Sequence, residues 1–186
     1  MHRVIYPGSF DPATLGHLDV IERGCRIFDE LLVGVGRHPG KDQLFSQRER
    51  VEMLERLTRE LKSGKLGSER VEVRSFSGLT VDFAREVNAT AILRGVRNLS
   101  DLQYEVQQAV TNREVAGLET VFIVAGQSFA YTSSSLIKQI TAMGEDLSVL
   151  RSMVPALVIE RLAAKKSEQN PILERLRSDQ NQIDEG

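Results

Sequence analysis

Apolar residues along this chain fall into two alternating rhythms. Compact apolar runs occur at Val4-Ile5-Tyr6, Glu30 to Gly36, Ala89 to Leu93 and Thr120 to Val124, and Val71 to Phe76 alternates apolar with polar. These read as five strands. Between them apolar residues recur at helical spacing: Leu18, Ile21, Cys25 and Phe28; Val51, Leu54 and Leu57; a short stretch around Val81 to Ala84; a segment from Ser100 to about Val115; then Leu136, Ile137 and Ile140. A last amphipathic run extends from about Pro155 to Ala164. Thr14, Ser46 with Glu49, Ser100 with Gln103, and Ser133 supply the side chains that cap helix starts.

Strands separated by helices predict an α/β fold, a parallel five-stranded sheet with helices on both faces. Residues 1–164 are expected to form one domain with a C-terminal helix. From Lys165 the composition turns polar and Asn170-Pro171 breaks the pattern, so 165–186 is expected to be a mostly disordered tail. Ser63 to Arg70 reads as a polar surface turn.

Composition excludes several classes of partner. The 186 residues are 41% hydrophobic and 27% charged, with net charge -2 and pI near 6.0; nothing calls for nucleic acid or an anionic membrane. No apolar stretch suits a signal peptide or a membrane span, so a cytoplasmic protein is expected. The single cysteine, Cys25, has no partner for an internal disulfide and fits core packing.

The candidate chemistry sits after strand ends. Tyr6-Pro7-Gly8-Ser9-Phe10-Asp11-Pro12 runs from the first strand into the helix that Thr14 opens, an arrangement that leaves free backbone N–H groups for an anion. Ser9 and His17 add donors there. His17 stands alone, and no second histidine or cysteine at ligand spacing suggests a metal. Lys41 follows the second strand, Arg94-Gly95-Val96-Arg97 the fourth, and Phe129 to Ser135 the fifth. Each has a bland alternative: Lys41 as solvated surface, Arg94 and Arg97 likewise, Ser133-Ser134-Ser135 as a plain cap, Phe129 and Tyr131 as core. Glu105, two turns into a helix, reads as an ordinary surface carboxylate. Four loops on one sheet edge nevertheless converge on one crevice, where ligands of such folds bind. Gly34-Val35-Gly36 with Gly40 misses the dinucleotide fingerprint, and no P-loop is present.

The motifs together resemble the bacterial phosphopantetheine adenylyltransferases, nucleotidyltransferases with an (H/T)-x-G-H motif, here Thr14-Leu15-Gly16-His17. The resemblance rests on residues 6–19, on Arg94 to Arg97, on Asp101 with Tyr104-Glu105, and on Ser133 to Leu136, and it covers residues 1 to about 163. It implies a Rossmann-like fold and transfer of AMP from ATP to 4′-phosphopantetheine, giving dephospho-coenzyme A and pyrophosphate. It further implies that His17 stabilises the transition state. Ser9, Phe10, His17, Gly95, Val96, Arg97, Glu105, Phe129, Ala130, Tyr131, Thr132, Ser133, Ser134 and Ser135 would contact ATP, and Ser9, Lys41, Thr80 and Arg94 the acceptor. Mg²⁺ would arrive with ATP, since no acidic cluster is evident. A homohexamer and feedback binding of coenzyme A are implied in the same way. Leu15, Ser9, Phe129 and Thr132 depart from the commoner family residues. Within the superfamily the alternative is a mononucleotide adenylyltransferase or a cytidylyltransferase; outside catalysis it is a nucleotide-sensing module.

Overall fold

The computed structural model describes residues 2–37, 40, 42–63 and 71–184. Strand β1 (Arg3–Gly8) leads to α1 (Leu15–Ile27), β2 (Glu30–Val35), α2 (Gln47–Ser63), β3 (Val71–Ser75) and α3 (Thr80–Glu86). The second half adds β4 (Ala91–Val96), α4 (Leu99–Ala116), β5 (Glu119–Val124), α5 (Ser134–Met143), α6 (Ala156–Ser167) and α7 (Pro171–Asp184). All strands pair in parallel, in the order β3-β2-β1-β4-β5. This is the expected Rossmann-like sheet.

Strand periodicity divides the core. Val4, Tyr6, Leu31, Val33 and Leu93 point to one face with residues of α1, α2, α5 and α6, while Ile5, Leu32 and Ile92 point to the other with Val81, Phe83 and Ala84 of α3. Both faces are covered, so these strands read as unbroken apolar runs rather than as alternation.

Helix starts follow local chemistry. Ser46 and Glu49 form the expected box: the Glu49 carboxylate accepts the Ser46 N–H at 2.7 Å, and the Ser46 hydroxyl accepts the Glu49 N–H at 3.3 Å. For α4 the cap is Asn98, not Ser100, and its side chain accepts the Asp101 N–H at 3.0 Å. Asparagine caps as well as serine and starts the helix two residues earlier than a Ser100 cap would.

The C-terminal region differs from the expected disordered tail. Pro171 occupies the first turn of α7, where its missing N–H costs nothing. Ile172, Leu173 and Leu176 then share a face that packs against the main core, with Leu173 2% exposed. Three apolar residues offset a polar composition once a surface is available to receive them, and α7 lies chiefly against α5. Of the expected turn at 63–70, Ser63 ends α2 and the remainder lies outside the described residues.

Candidate active site

The strand order reverses at β1, whose neighbours are β2 and β4. A cleft of about 280 Å³ opens beyond the carboxyl ends of β1 and β4, at this switch point. The β1–α1 loop, the start of α1, the end of β4, the first turns of α4 and the start of α5 line it. Gly95 permits the close approach of β4 and α1, because a Cβ there would lie 2.8 Å from Val20 Cγ2.

His17 occupies the third position of α1, where a capping box ordinarily has Glu or Gln. Its Nδ1 accepts the Thr14 backbone N–H at 2.9 Å, while the Thr14 hydroxyl accepts the His17 N–H at 3.3 Å. An Nδ1 that accepts must be unprotonated, so the ring proton resides on Nε2. Burial above all, then the Arg97 and Arg94 charges, push the His17 pKa down to about 4. Phe10 packs edge-on to the ring with centroids 5.0 Å apart. The cleft thus contains a neutral, oriented N–H donor whose tautomer is set by a helix cap.

Two arginines face His17, each held by a carboxylate of α4. Glu105 grips Arg94 with both oxygens, accepting from Nε at 2.6 Å and from Nη2 at 2.5 Å, and the Pro7 carbonyl accepts from Nη1 at 2.6 Å. Glu105 is buried, so it is not the surface carboxylate that its helical position suggests. Burial opposes the Arg94 charge, but Glu105 outweighs it and the pKa rises. Arg97 forms the matching pair with Asp101, at 2.6 Å and 2.9 Å, and its Nη1 donates to the Thr132 carbonyl at 2.5 Å. Bidentate pairing fixes the guanidinium planes and leaves further N–H groups for a ligand. Burial pushes the Tyr6 phenol far above its usual range, so it stays protonated on the cleft wall.

Below the cleft lies an ionic floor. The carboxylate of Asp11, 3% exposed, accepts the Leu44 N–H at 3.0 Å, the Phe45 N–H at 2.9 Å and the Lys138 ammonium at 3.0 Å. Arg50 donates to the carbonyls of Ser9, Gly36 and Phe45. Sequence reasoning gave no role to Asp11, Asp101, Arg50 or Lys138; only the turn at Asp11-Pro12 hinted at the first.

The cleft brings together Ser9, Phe10, His17, Arg94, Gly95, Arg97, Glu105 and the Thr132–Ser135 segment. Ser133 caps α5 by accepting the Leu136 N–H at 3.1 Å, and the Ser134 hydroxyl donates to the Pro12 carbonyl at 2.8 Å. Thr80 stands on an adjoining groove of about 330 Å³, shared with Ser9, Arg94 and Tyr104. A smaller cavity of about 200 Å³ shares Pro7, Arg94 and Glu105 with the cleft and is lined further by Thr80, Tyr104, Ala109 and Asn112. Val96, Phe129, Ala130 and Tyr131 do not line the cleft: Val96 is buried in the sheet, Phe129 abuts Gly16, and Tyr131 is 89% exposed. Lys41 lies outside the described residues. Among the described residues no cluster of three acidic, histidine or cysteine side chains could hold a metal, and both cleft carboxylates are engaged by arginine.

Residues 5–140 match the cytidylyltransferase-like family model. A phosphopantetheine adenylyltransferase from Caldanaerobacter subterraneus subsp. tengcongensis is 44% identical over 166 residues, 89% of this chain and 98% of that one. The chain belongs to the phosphopantetheine adenylyltransferase family. A second phosphopantetheine adenylyltransferase, from Desulfosudis oleivorans, is 45% identical over 89% of this chain and 93% of its own. Among solved structures, the nicotinic acid mononucleotide adenylyltransferase of Plasmodium falciparum superposes with a TM-score of 0.66 at 16% identity, covering 92% of this chain and 98% of that one. At that identity the likeness concerns the fold alone.

Proposed function

We propose that the cleft transfers the adenylyl group of ATP to the phosphate of 4′-phosphopantetheine, yielding dephospho-coenzyme A and pyrophosphate. One observation carries this reading. A cleft with a neutral His17 donor and two oriented arginines is continued at Arg94 by a second cavity of about 200 Å³ that reaches Tyr104, Ala109 and Asn112. We assign Arg94, where the two cavities meet, to the acceptor phosphate and the second cavity to the arm behind it.

An oxygen of the acceptor phosphate attacks the α-phosphorus in line as the bond to the bridging oxygen breaks, and pyrophosphate leaves with that electron pair. The attacking phosphate is already anionic, so no strong general base is required. The His17 Nε2–H donates to a non-bridging α-phosphate oxygen as charge builds there. Arg94 with Ser9, Thr80 and Lys41 receives the acceptor. The remaining ATP contacts are Phe10, Gly95, Arg97, Glu105 and the segment Thr132 to Ser135, all of which line the cleft. The family's use of ATP implies a divalent metal, and Mg²⁺ enters as Mg–ATP because the cleft carboxylates are already paired.

We read the chain as a homohexamer. Leu99, Val106, Val110 and Val115 of α4, with Val121 and Val124 of β5, are exposed, while Glu105 alone is buried among the described residues of α4. Coenzyme A, which carries both the pantetheine arm and the adenylate, would fill both halves of the cleft as a feedback ligand. No helix among the described residues is long and apolar enough to cross a membrane.

The deciding experiment measures pyrophosphate release from Mg–ATP with 4′-phosphopantetheine, nicotinamide mononucleotide and nicotinate mononucleotide in turn. Faster turnover with either mononucleotide, or ATP binding without release from any acceptor, would overturn the reading.

A further inference from the structure

The side chain of Arg50 is wholly enclosed, at 0% exposure, yet every bond it makes ends on a loop of the site. Its Nε donates to the Phe45 carbonyl at 3.1 Å, and Nη1 donates to the carbonyls of Ser9 at 2.5 Å and Gly36 at 2.8 Å. Its Nη2 donates to the Gln43 side-chain oxygen at 2.7 Å. Gly36 lies just after β2, whereas Gln43 and Phe45 lie just before α2. One guanidinium therefore spans both ends of the β2–α2 segment and ties them to the β1–α1 loop. Asp11 reinforces the tie by accepting the N–H groups of Leu44 and Phe45.

Mere packing does not account for this arrangement. Enclosing a cation costs several kcal/mol before its bonds are counted, and apolar residues of similar volume often replace buried ions without loss of stability. What an apolar residue cannot do is hold four oxygens from three chain segments in fixed register. Ser9, whose carbonyl Arg50 holds, lines both the cleft and the adjoining groove that Thr80 and Arg94 share.

We propose that Arg50 is a positioning residue for the acceptor phosphate: it closes the base of the β2–α2 segment against Ser9 and thereby sets acceptor affinity. The ATP half is held separately, by the Arg97–Asp101 pair and its bond to Thr132. This inference rests on the acceptor-side reading of Ser9 and Lys41.

The test is steady-state pyrophosphate release by the full chain, varying each substrate against saturating partner, with unfolding followed in parallel. Wild-type turnover with phosphopantetheine is the baseline; its absence counts against the proposed reaction and not against Arg50. In Arg50→Lys, one ammonium cannot reach four oxygens, and the acceptor KM should rise about tenfold or more while the ATP KM changes less than about threefold. Gln43→Ala removes one of the four oxygens at a half-buried position and should give a smaller rise with the same selectivity. Equal rises in both KM values, or a lowered Tm with both KM values unchanged, would overturn the proposal. If Arg50→Lys does not fold, an unchanged acceptor KM in Gln43→Ala overturns it instead.

Discussion

The Nδ1 of His17 accepts the backbone N–H of Thr14 at 2.9 Å, so one imidazole both caps helix α1 and presents its other nitrogen to the cleft. These two duties are separable by mutation. Glutamine in a capping box reaches back to the same backbone N–H. His17→Gln should therefore keep stability within about 0.5 kcal/mol while kcat falls roughly 10²–10³-fold. His17→Ala should lose the same activity and about 1 kcal/mol of stability as well. ATP affinity, measured by calorimetry, should stay within about tenfold in both. Wild-type kcat in His17→Gln would remove the imidazole from the chemistry.

The depressed pKa has a sign that can be checked. His17 titrates near its ordinary 6.5 in the unfolded chain and at about 4 in the folded one. Between those values the unfolded state binds the extra proton, so stability is fully present above about pH 6.5 and falls as pH drops towards 4. The loss should be on the order of 2 kcal/mol after allowance for solvent access. Urea unfolding of wild type and His17→Gln, nearly coincident at pH 7, should show wild type falling below the variant as pH drops through that range. Parallel curves would place the His17 pKa near its unperturbed value.

Glu105 holds Arg94 with both carboxylate oxygens. Glu105→Gln leaves one acceptor for two donors on a half-buried guanidinium. It should cost roughly 2–4 kcal/mol by denaturant unfolding, and the freed Arg94 should raise the acceptor KM about tenfold. Arg97→Lys, by contrast, should weaken ATP more than acceptor, because one ammonium cannot reproduce a bidentate pair.

Helix α7 contributes apolar burial rather than chemistry. Leu173→Ala should lower stability by roughly 2–4 kcal/mol and leave both KM values within about twofold when assayed well below the transition. An unchanged unfolding midpoint would show that α7 does not pack in solution.

The sheet was legible because parallel strands covered on both faces leave contiguous apolar runs, as in Val4-Ile5-Tyr6. The crevice was legible because its cap residues and glycines follow strand ends in order. Arg50 was not legible. In sequence it is one arginine of Arg48-Glu49-Arg50 at the start of an amphipathic helix, and its partner Ser9 lies 41 residues away. Glu105 was misread for a related reason, since nothing local distinguishes a carboxylate facing solvent from one facing Arg94. Helix α7 was missed because composition speaks of the average residue, whereas Leu173 needs only one receiving surface.

Strands β1 and β4 both run into the cleft, and their paired residues Ile5 and Ile92 are both 0% exposed. Backbone hydrogen bonds hold neighbouring strands about 4.8 Å apart. The spacing between the ends of β1 and β4 that wall the cleft is therefore gauged by the sheet's own hydrogen bonds. Warming should abolish turnover no later than the transition that melts the sheet, because the cleft is lost once β1 and β4 part.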